Sequence, residues 1–330
     1  MDKFKAFRIN EVDKKTVSAF AEMTLAELDP GEVVIRVAYS GVNYKDALAA
    51  TGAGKVIRRY PCVGGIDLSG TVVESSDARF VKGDAVIATS YDIGVAHHGG
   101  YAEYARVPAD WVVPMPKGLN LFEAMALGTA GYTAALGVVR MQANGLAPAN
   151  GPVIVTGASG GVGSIAVDIL AGLGYHVVAL TGKEGETEYL KGLGAKEVKL
   201  RQSLDLAKVR PLDKAVWAGA VDNLGGDVLA WIASGMLQGG TIASIGLAAS
   251  PTLNTTVLPF ILRGASLLGI DSGYTPMALR RQVWQHLATD MKPKHLAGMT
   301  RTIAFENLPG VFDDFIKGKA KGRLVVDLAA

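Results

Sequence analysis

The sequence predicts an α/β protein in two parts: short strands forming a barrel or sandwich, then strand–helix alternation building a parallel sheet. Three observations carry this. Across the first third, runs rich in Val and Ile lie between turn signals. From Pro152 onward, buried-strand candidates alternate with helical stretches. At the first such junction stands a glycine-rich loop, Thr156-Gly157-Ala158-Ser159-Gly160-Gly161-Val162-Gly163-Ser164.

Residues 32–40, 70–74 and 84–88 are the first strand candidates, bounded by Asp29-Pro30-Gly31 and Lys82-Gly83-Asp84. Residues 100–108 alternate aromatic and small side chains with polar ones. Many short strands with few helices suit a barrel or sandwich. After Pro116 the texture changes: residues 121–141 place apolar side chains at helical spacing, interrupted by Gly128-Thr129-Ala130-Gly131. Val153–Thr156 reads as a buried strand. The next helix, 164–173, sets Ile165, Ile169, Leu170 and Leu173 on one face and stops at Gly174. Strands follow at 176–180, 197–200, 218–222, 241–247 and 266–271, with a helix at 186–193. A final helix at 308–317 and strand at 322–328 close the sheet or return to the first domain.

Composition narrows the function classes. Lys plus Arg is 33 against 31 for Asp plus Glu, so no global field draws nucleic acid or an anionic membrane. With 49% hydrophobic residues the chain can fill sizeable cores. The apolar stretches near residues 124–139 and 165–180 are broken by Gly, Thr, Asp or His. Neither reaches the run of roughly 18 expected of a membrane span. Cys62 is the lone cysteine, so no intramolecular disulfide or Cys-rich zinc site forms. The N-terminus alternates charged and apolar residues without a signal-peptide core. The expected location is cytoplasmic.

The glycine-rich loop carries the functional signal. Glycines let the backbone turn, approach a pyrophosphate and pack helix on strand, while helix-start N–H groups face the anion. The spacing Gly157, Gly160, Gly163 departs from strict GxGxxG, and the strand–loop–helix context supplies the weight. The second strand ends at Thr181-Gly182-Lys183, 18 residues after Gly163. A cofactor lacking the 2′-phosphate meets Asp or Glu at such a tip. Here stand a hydroxyl, a glycine and a cation, with Glu184 one step further out and Arg201 ending another strand. The expectation is NADP rather than NAD. The ordinary alternative leaves Lys183 and Arg201 as solvated charges.

Together with this loop, Asn43-Tyr44-Lys45-Asp46, residues 61–70 (PCVGGIDLSG) and Gly128-Thr129-Ala130-Gly131-Tyr132-Thr133-Ala134 resemble the zinc-free medium-chain dehydrogenase/reductases. Residues 217–222, 259–264, 268–272 and Gly322-Arg323 extend the resemblance to the acrylyl-CoA reductase and quinone-oxidoreductase-like branch. The resemblance implies a GroES-like β-barrel domain at 1–122 and 298–330. A Rossmann doubly wound parallel-sheet domain at 123–297 and a homodimer paired through Rossmann sheet edges are implied with it.

Zinc-dependent relatives place Cys at Asn43 and Gly-His-Glu at Gly65-Ile66-Asp67. Asp67 alone does not hold catalytic zinc, so reduction of an activated C=C bond or quinone is expected over alcohol dehydrogenation. The resemblance puts Tyr44 and Asn43 near the nicotinamide, Tyr44 donating a hydrogen bond or proton and Asn43 orienting the cofactor. The alternative for Tyr44 is a half-buried aromatic with a satisfied hydroxyl. Ser159, Gly160, Gly161 and Val162 are expected on the pyrophosphate. Thr181, Gly182, Lys183 and Arg201 are expected on the adenosine phosphate, and Leu247, Ile261, Ser272 and Arg323 along the rest of the cofactor. Leu247 and Ile261 have plain core as their alternative.

Asp67 is expected to hold Lys45 or a backbone amide, and Asp46 to cap a nearby helix. His97 and His98, as strand neighbours, would face opposite ways and make a poor metal pair. Lys55, Arg58 and Arg59 either meet coenzyme A phosphates or form a solvated face. Cys62 reads as a buried filler. The favoured function is NADPH-dependent reduction of an enoyl-CoA such as acrylyl-CoA. The alternatives are reduction of quinones or reactive enones, and cofactor binding with little turnover.

Overall fold

The computed structural model describes residues 3–328. These divide into two compact units, one comprising the chain through Thr129, Gly273–Ala288 and the chain from Leu296 onward, the other Ala130–Ser272 with Thr289–His295.

The first unit is mostly β. Strand Val33–Gly41 is the axis of its larger sheet, pairing antiparallel with Asp67–Ser75, with Tyr104–Val107 and with the C-terminal strand Arg323–Asp327. The sheet order runs Thr300–Ala304, Arg323–Asp327, Val33–Gly41, Asp67–Ser75, Ala85–Thr89, Val112–Pro114. The end of the chain therefore returns to the first part. A smaller sheet holds the hairpin Phe4–Val12/Lys15–Met23 and Cys62–Val63. Its turn residues Asp13 and Lys14 both have positive φ (49° and 62°), the twist a two-residue hairpin demands. Ile35, Leu68, Val86 and Val326 lie at 0% exposure in the core, each contributing roughly 1.5–3 kcal/mol.

The second unit holds six parallel strands in the order Glu197–Leu200, Val177–Thr181, Val153–Thr156, Trp217–Asp222, Met236–Ser244, Ser266–Gly269. Numbered by sequence this is 3-2-1-4-5-6, the doubly wound order. Helix Gly161–Gly172 buries Ile165, Ile169 and Leu170 as its spacing predicts.

The helix expected over 121–141 runs Leu121–Ala143 and breaks at Gly128 (φ 51°, ψ −157°), the first residue of the expected interruption. It has the length and hydropathy of a membrane span, yet 78% of its most apolar window is buried in the protein. The helix expected at 308–317 is a 3-10 segment, Phe305–Val311, leading into the short helix Phe312–Ile316. Pro309 lacks the N–H a continuous helix needs. The strand expected at 241–247 runs Met236–Ser244.

Candidate active site

In the second unit the glycine loop meets the tip of the second strand. Gly157 turns with φ 57°. A Cβ on Gly163 would stand 2.3 Å from the Gly157 carbonyl oxygen, so glycine alone permits this loop-to-helix packing. The first helical ladder bond runs from Ser164 N–H to the Gly160 carbonyl (2.9 Å). The amides at the helix start, Gly161 to Gly163, thus have no intrahelical acceptor.

At the loop's edge Ser159 Oγ meets Thr181 Oγ1 (3.2 Å), and both residues are buried. Thr181 Oγ1 also accepts from the Lys183 N–H (3.1 Å). A Cβ on Gly182 would lie 3.6 Å from the Arg201 guanidinium, an ordinary contact that places Arg201 over the strand end. Ser159, Thr181, Gly182, Lys183 and Arg201 therefore share one corner. Glu184, the acid nearest the tip, accepts from Gln202 instead (3.3 Å). The donor set suits a phosphate: two cations, a hydroxyl pair and free helix-start amides. Elsewhere in this unit Ser272 Oγ accepts from Thr133 Oγ1 (2.8 Å). Leu247 and Ile261 are 63% and 67% exposed, so neither is core.

In the first unit, Asn43 is the N-cap of helix Tyr44–Thr51. Asp46, at the third helical position, caps the helix as expected through a capping box, its carboxylate accepting the Asn43 N–H (2.8 Å) and also the Ile66 N–H (2.9 Å). Asn43 Nδ2 donates to Asp46 (3.1 Å) and Asp67 (2.8 Å), while Asn43 Oδ1 accepts from Arg323 Nη1 (3.3 Å). Asp67 also takes the Thr129 N–H (2.9 Å) and the Thr129 hydroxyl. It thus holds a backbone amide, while Lys45 is exposed. Arg323 gives its remaining donors to the carbonyls of Ala126 (2.8 Å), Val42 (3.3 Å) and Met125 (3.5 Å).

Asn43, Asp46, Asp67 and Arg323 are all buried, so this is a closed polar cluster in which one guanidinium faces two carboxyls. Burial, and then the Asp67 charge, push the Asp46 carboxyl up to about 7. Tyr44, next in sequence, is 48% exposed and its hydroxyl bonds to no other described residue. Sequence reasoning gives Asp46 a cap and Asp67 a hold on Lys45 or a backbone amide and assigns Thr129 no role, because nothing local links positions 43, 67, 129 and 323.

Other candidates are occupied. Arg59 pairs with Asp29, and Arg58 with Asp92, Arg58 also donating to Tyr274 (2.9 Å). Two members of the basic cluster are thus already paired. His97 and His98 lie in a buried loop rather than on a strand. His97 Nε2 bonds the Arg106 carbonyl (2.7 Å) and His98 Nδ1 accepts the Val63 N–H (3.1 Å). Cys62 is fully buried, and burial pushes its thiol up to about 12.

Residues 29–117 match the model of the alcohol dehydrogenase GroES-like domain. The chain is 46% identical to acrylyl-CoA reductase AcuI of Ruegeria pomeroyi, over 97% of each chain. It is 50% identical to YhfP of Bacillus subtilis, provisionally named a quinone oxidoreductase, over 92% of each. The chain belongs to the acrylyl-CoA reductase and YhfP family of medium-chain dehydrogenase/reductases. The crystal structure of YhfP, solved with NAD bound, matches with a TM-score of 0.97 at 46% identity, covering 99% of this chain and 100% of that one. That of the yhdH oxidoreductase of Salmonella enterica, in complex with NADP, matches at 0.95 and 44% identity, covering 98% and 99%. The GroES-like and Rossmann-type expectation for the fold therefore holds.

Proposed function

We propose that this chain is an NADPH-dependent reductase of activated C=C bonds, with an enoyl-CoA such as acrylyl-CoA as substrate. The corner of Ser159, Thr181, Gly182, Lys183 and Arg201 beside the glycine loop carries the cofactor reading, since it offers charge and hydroxyls to a 2′-phosphate and no acid to a ribose diol. Gly160, Gly161 and Val162 hold the pyrophosphate. Leu247, Ile261 and Ser272 line the remainder. The likeness to an acrylyl-CoA reductase supports the substrate class.

When bound, the dihydronicotinamide supplies hydride to the β-carbon of the activated double bond. Tyr44, exposed at a helix start, offers its hydroxyl to the thioester oxygen on which charge develops, or a proton to the α-carbon. Asn43 and Arg323 spend their polar atoms within the buried cluster, so they act by fixing the helix that presents Tyr44. Zinc plays no part: the oxygen donors of Asn43, Asp46 and Asp67 are committed to N–H and O–H partners, and Arg323 already supplies the positive charge. The enzyme works in the cytoplasm, on a small molecule rather than nucleic acid or a membrane.

The YhfP likeness keeps quinones and reactive enones as the second reading. An NADPH-oxidation screen of acrylyl-CoA, crotonyl-CoA, acrolein and naphthoquinone separates the two. Saturable turnover of the thioesters, inhibited by free coenzyme A, is expected. Turnover confined to naphthoquinone and indifferent to coenzyme A would transfer the assignment to the second reading.

A further inference from the structure

The parallel ladder between Val153–Thr156 and Trp217–Asp222 ends at Val155 opposite Val221. One residue further, side chains take over. Thr156 Oγ1 donates to Asp222 Oδ1 (2.7 Å) and accepts the Asn223 N–H (2.9 Å), and the Thr156 carbonyl accepts Asn223 Nδ2 (2.7 Å). Every polar atom beyond the ladder on the residue that opens the phosphate loop is thus held by two neighbours. The same neighbours grip a second loop. The Asp222 carbonyl accepts the N–H groups of Ile245 (2.9 Å) and Gly246 (3.2 Å), and the Asn223 carbonyl accepts that of Ala248 (3.3 Å). The fit is tight on the second loop's side, where a Cβ on Gly246 would stand 2.5 Å from the Asn223 carbonyl oxygen, and one on Gly157 would meet the Asn223 Cβ at an ordinary contact of 3.5 Å. Asp222 is fully buried, its second oxygen taking the Gly225 N–H (2.8 Å), so it cannot swing away without leaving donors unpaired.

We propose that Asp222 and Asn223 are positioning residues that brace the phosphate loop against the loop carrying Leu247 and so set the spacing between the two ends of a bound dinucleotide. The inference rests on the NADPH reading above. A ligand that uses both ends senses this spacing; a ligand confined to the adenosine end does not.

The test compares NADPH with adenosine 2′,5′-bisphosphate, binding of each being measured by fluorescence or calorimetry on the full-length protein. Asn223→Ala should weaken NADPH by about tenfold, and Asn223→Asp by more, since it turns a donor into an anion facing the Thr156 carbonyl. The bisphosphate should change by less than about twofold. Thr156→Val, which keeps the side chain's volume, reads the brace from its other side and should weaken NADPH by about fivefold. Thr156→Ser, which keeps the hydroxyl, should restore wild-type binding. Equal losses for both ligands would reduce the pair to a fold-stabilising role, and unchanged NADPH affinity in Asn223→Ala and Thr156→Val would remove the brace altogether. Wild-type protein that bound neither ligand would overturn the cofactor reading itself, and the brace with it.

Discussion

Asp46 is a buried acid whose carboxyl sits near 7, raised first by burial and then by the Asp67 charge, against hydrogen bonds from Asn43 and Ile66. Its ordinary value is 3.8. Between these two values the folded chain holds a proton that the unfolded chain has lost, so this residue's contribution to stability falls as pH rises from about 4 to about 7 and is level above that. The loss is on the order of a few kcal/mol. Asp46→Asn should flatten that part of the stability curve, read from thermal melts between about pH 4 and 7. An identical slope in variant and wild type would refute the assignment. His98 works in the opposite direction: burial lowers its pKa, so its stabilisation is lost as pH falls, and it is common to both proteins in the comparison. At the phosphate corner, Lys183→Glu should weaken NADPH by about tenfold and leave NADH within about threefold, by direct titration. Equal losses would show that Lys183 does not read the 2′-phosphate. The two sites differed in legibility at this scale. Thr181, Gly182 and Lys183 are consecutive, and a strand tip is visible in sequence. The Asn43, Asp67, Thr129 and Arg323 contacts join distant segments and follow no spacing rule.

Among elements, the strand–loop–helix unit at 153–172 was the most legible, because hydrophobic runs, glycines and helical spacing agree there. Val153–Thr156 falls at the bounds the sequence suggests, since a Val-rich central parallel strand is buried on both faces; Glu197–Leu200 falls at its bounds too, as an edge strand with no buried residue. The hairpin Phe4–Val12/Lys15–Met23 was not read as strands, because its turn is Asp13-Lys14 rather than the Asn-Gly that announces such turns. Helix Met277–Ala288 was missed for another reason. It buries Arg280 and Trp284, so its packed face carries a guanidinium that sequence patterns score as surface. The loop's own requirement for glycine is testable. Gly163→Ala places a methyl 2.3 Å from the Gly157 carbonyl oxygen and 2.7 Å from the Ala158 Cα. NADPH affinity should fall by at least about tenfold, because backbone rather than a flexible side chain must move. Gly172→Ala, at the end of the same helix with nothing within 4 Å, is the control and should leave affinity and melting temperature within error of wild type or slightly improved. Loss of binding in both variants would mean that the helix, not the loop, is what alanine disturbs.

At the scale of the whole molecule, the open question is what covers the end of the six-stranded sheet. Strand Ser266–Gly269 pairs on one side with Met236–Ser244, and among the described residues its other side carries no further strand of the sheet. Its Leu267 is 38% exposed, and on helix Leu258–Arg263 and the residue before it Ile261, Leu262 and Val257 are 67%, 58% and 65% exposed. Isolated exposed apolar residues are ordinary, but several on and beside an unpaired strand form a surface that water covers at a cost. A second copy offers the matching surface by two-fold symmetry, and antiparallel pairing of two such edges would satisfy the backbone groups of both. We therefore expect a homodimer joined through this strand. Light scattering after size exclusion should give twice the 34.4 kDa chain mass for the wild type. Leu267→Lys should shift the protein toward monomer, because a charge would face its symmetry mate across the new pairing. Helix Leu258–Arg263 contributes Ile261 to the cofactor site proposed above, so a monomeric Leu267→Lys variant that still bound NADPH at wild-type affinity would separate assembly from cofactor binding. A wild type that ran as a monomer at every concentration would remove the dimer and leave the apolar edge without its partner.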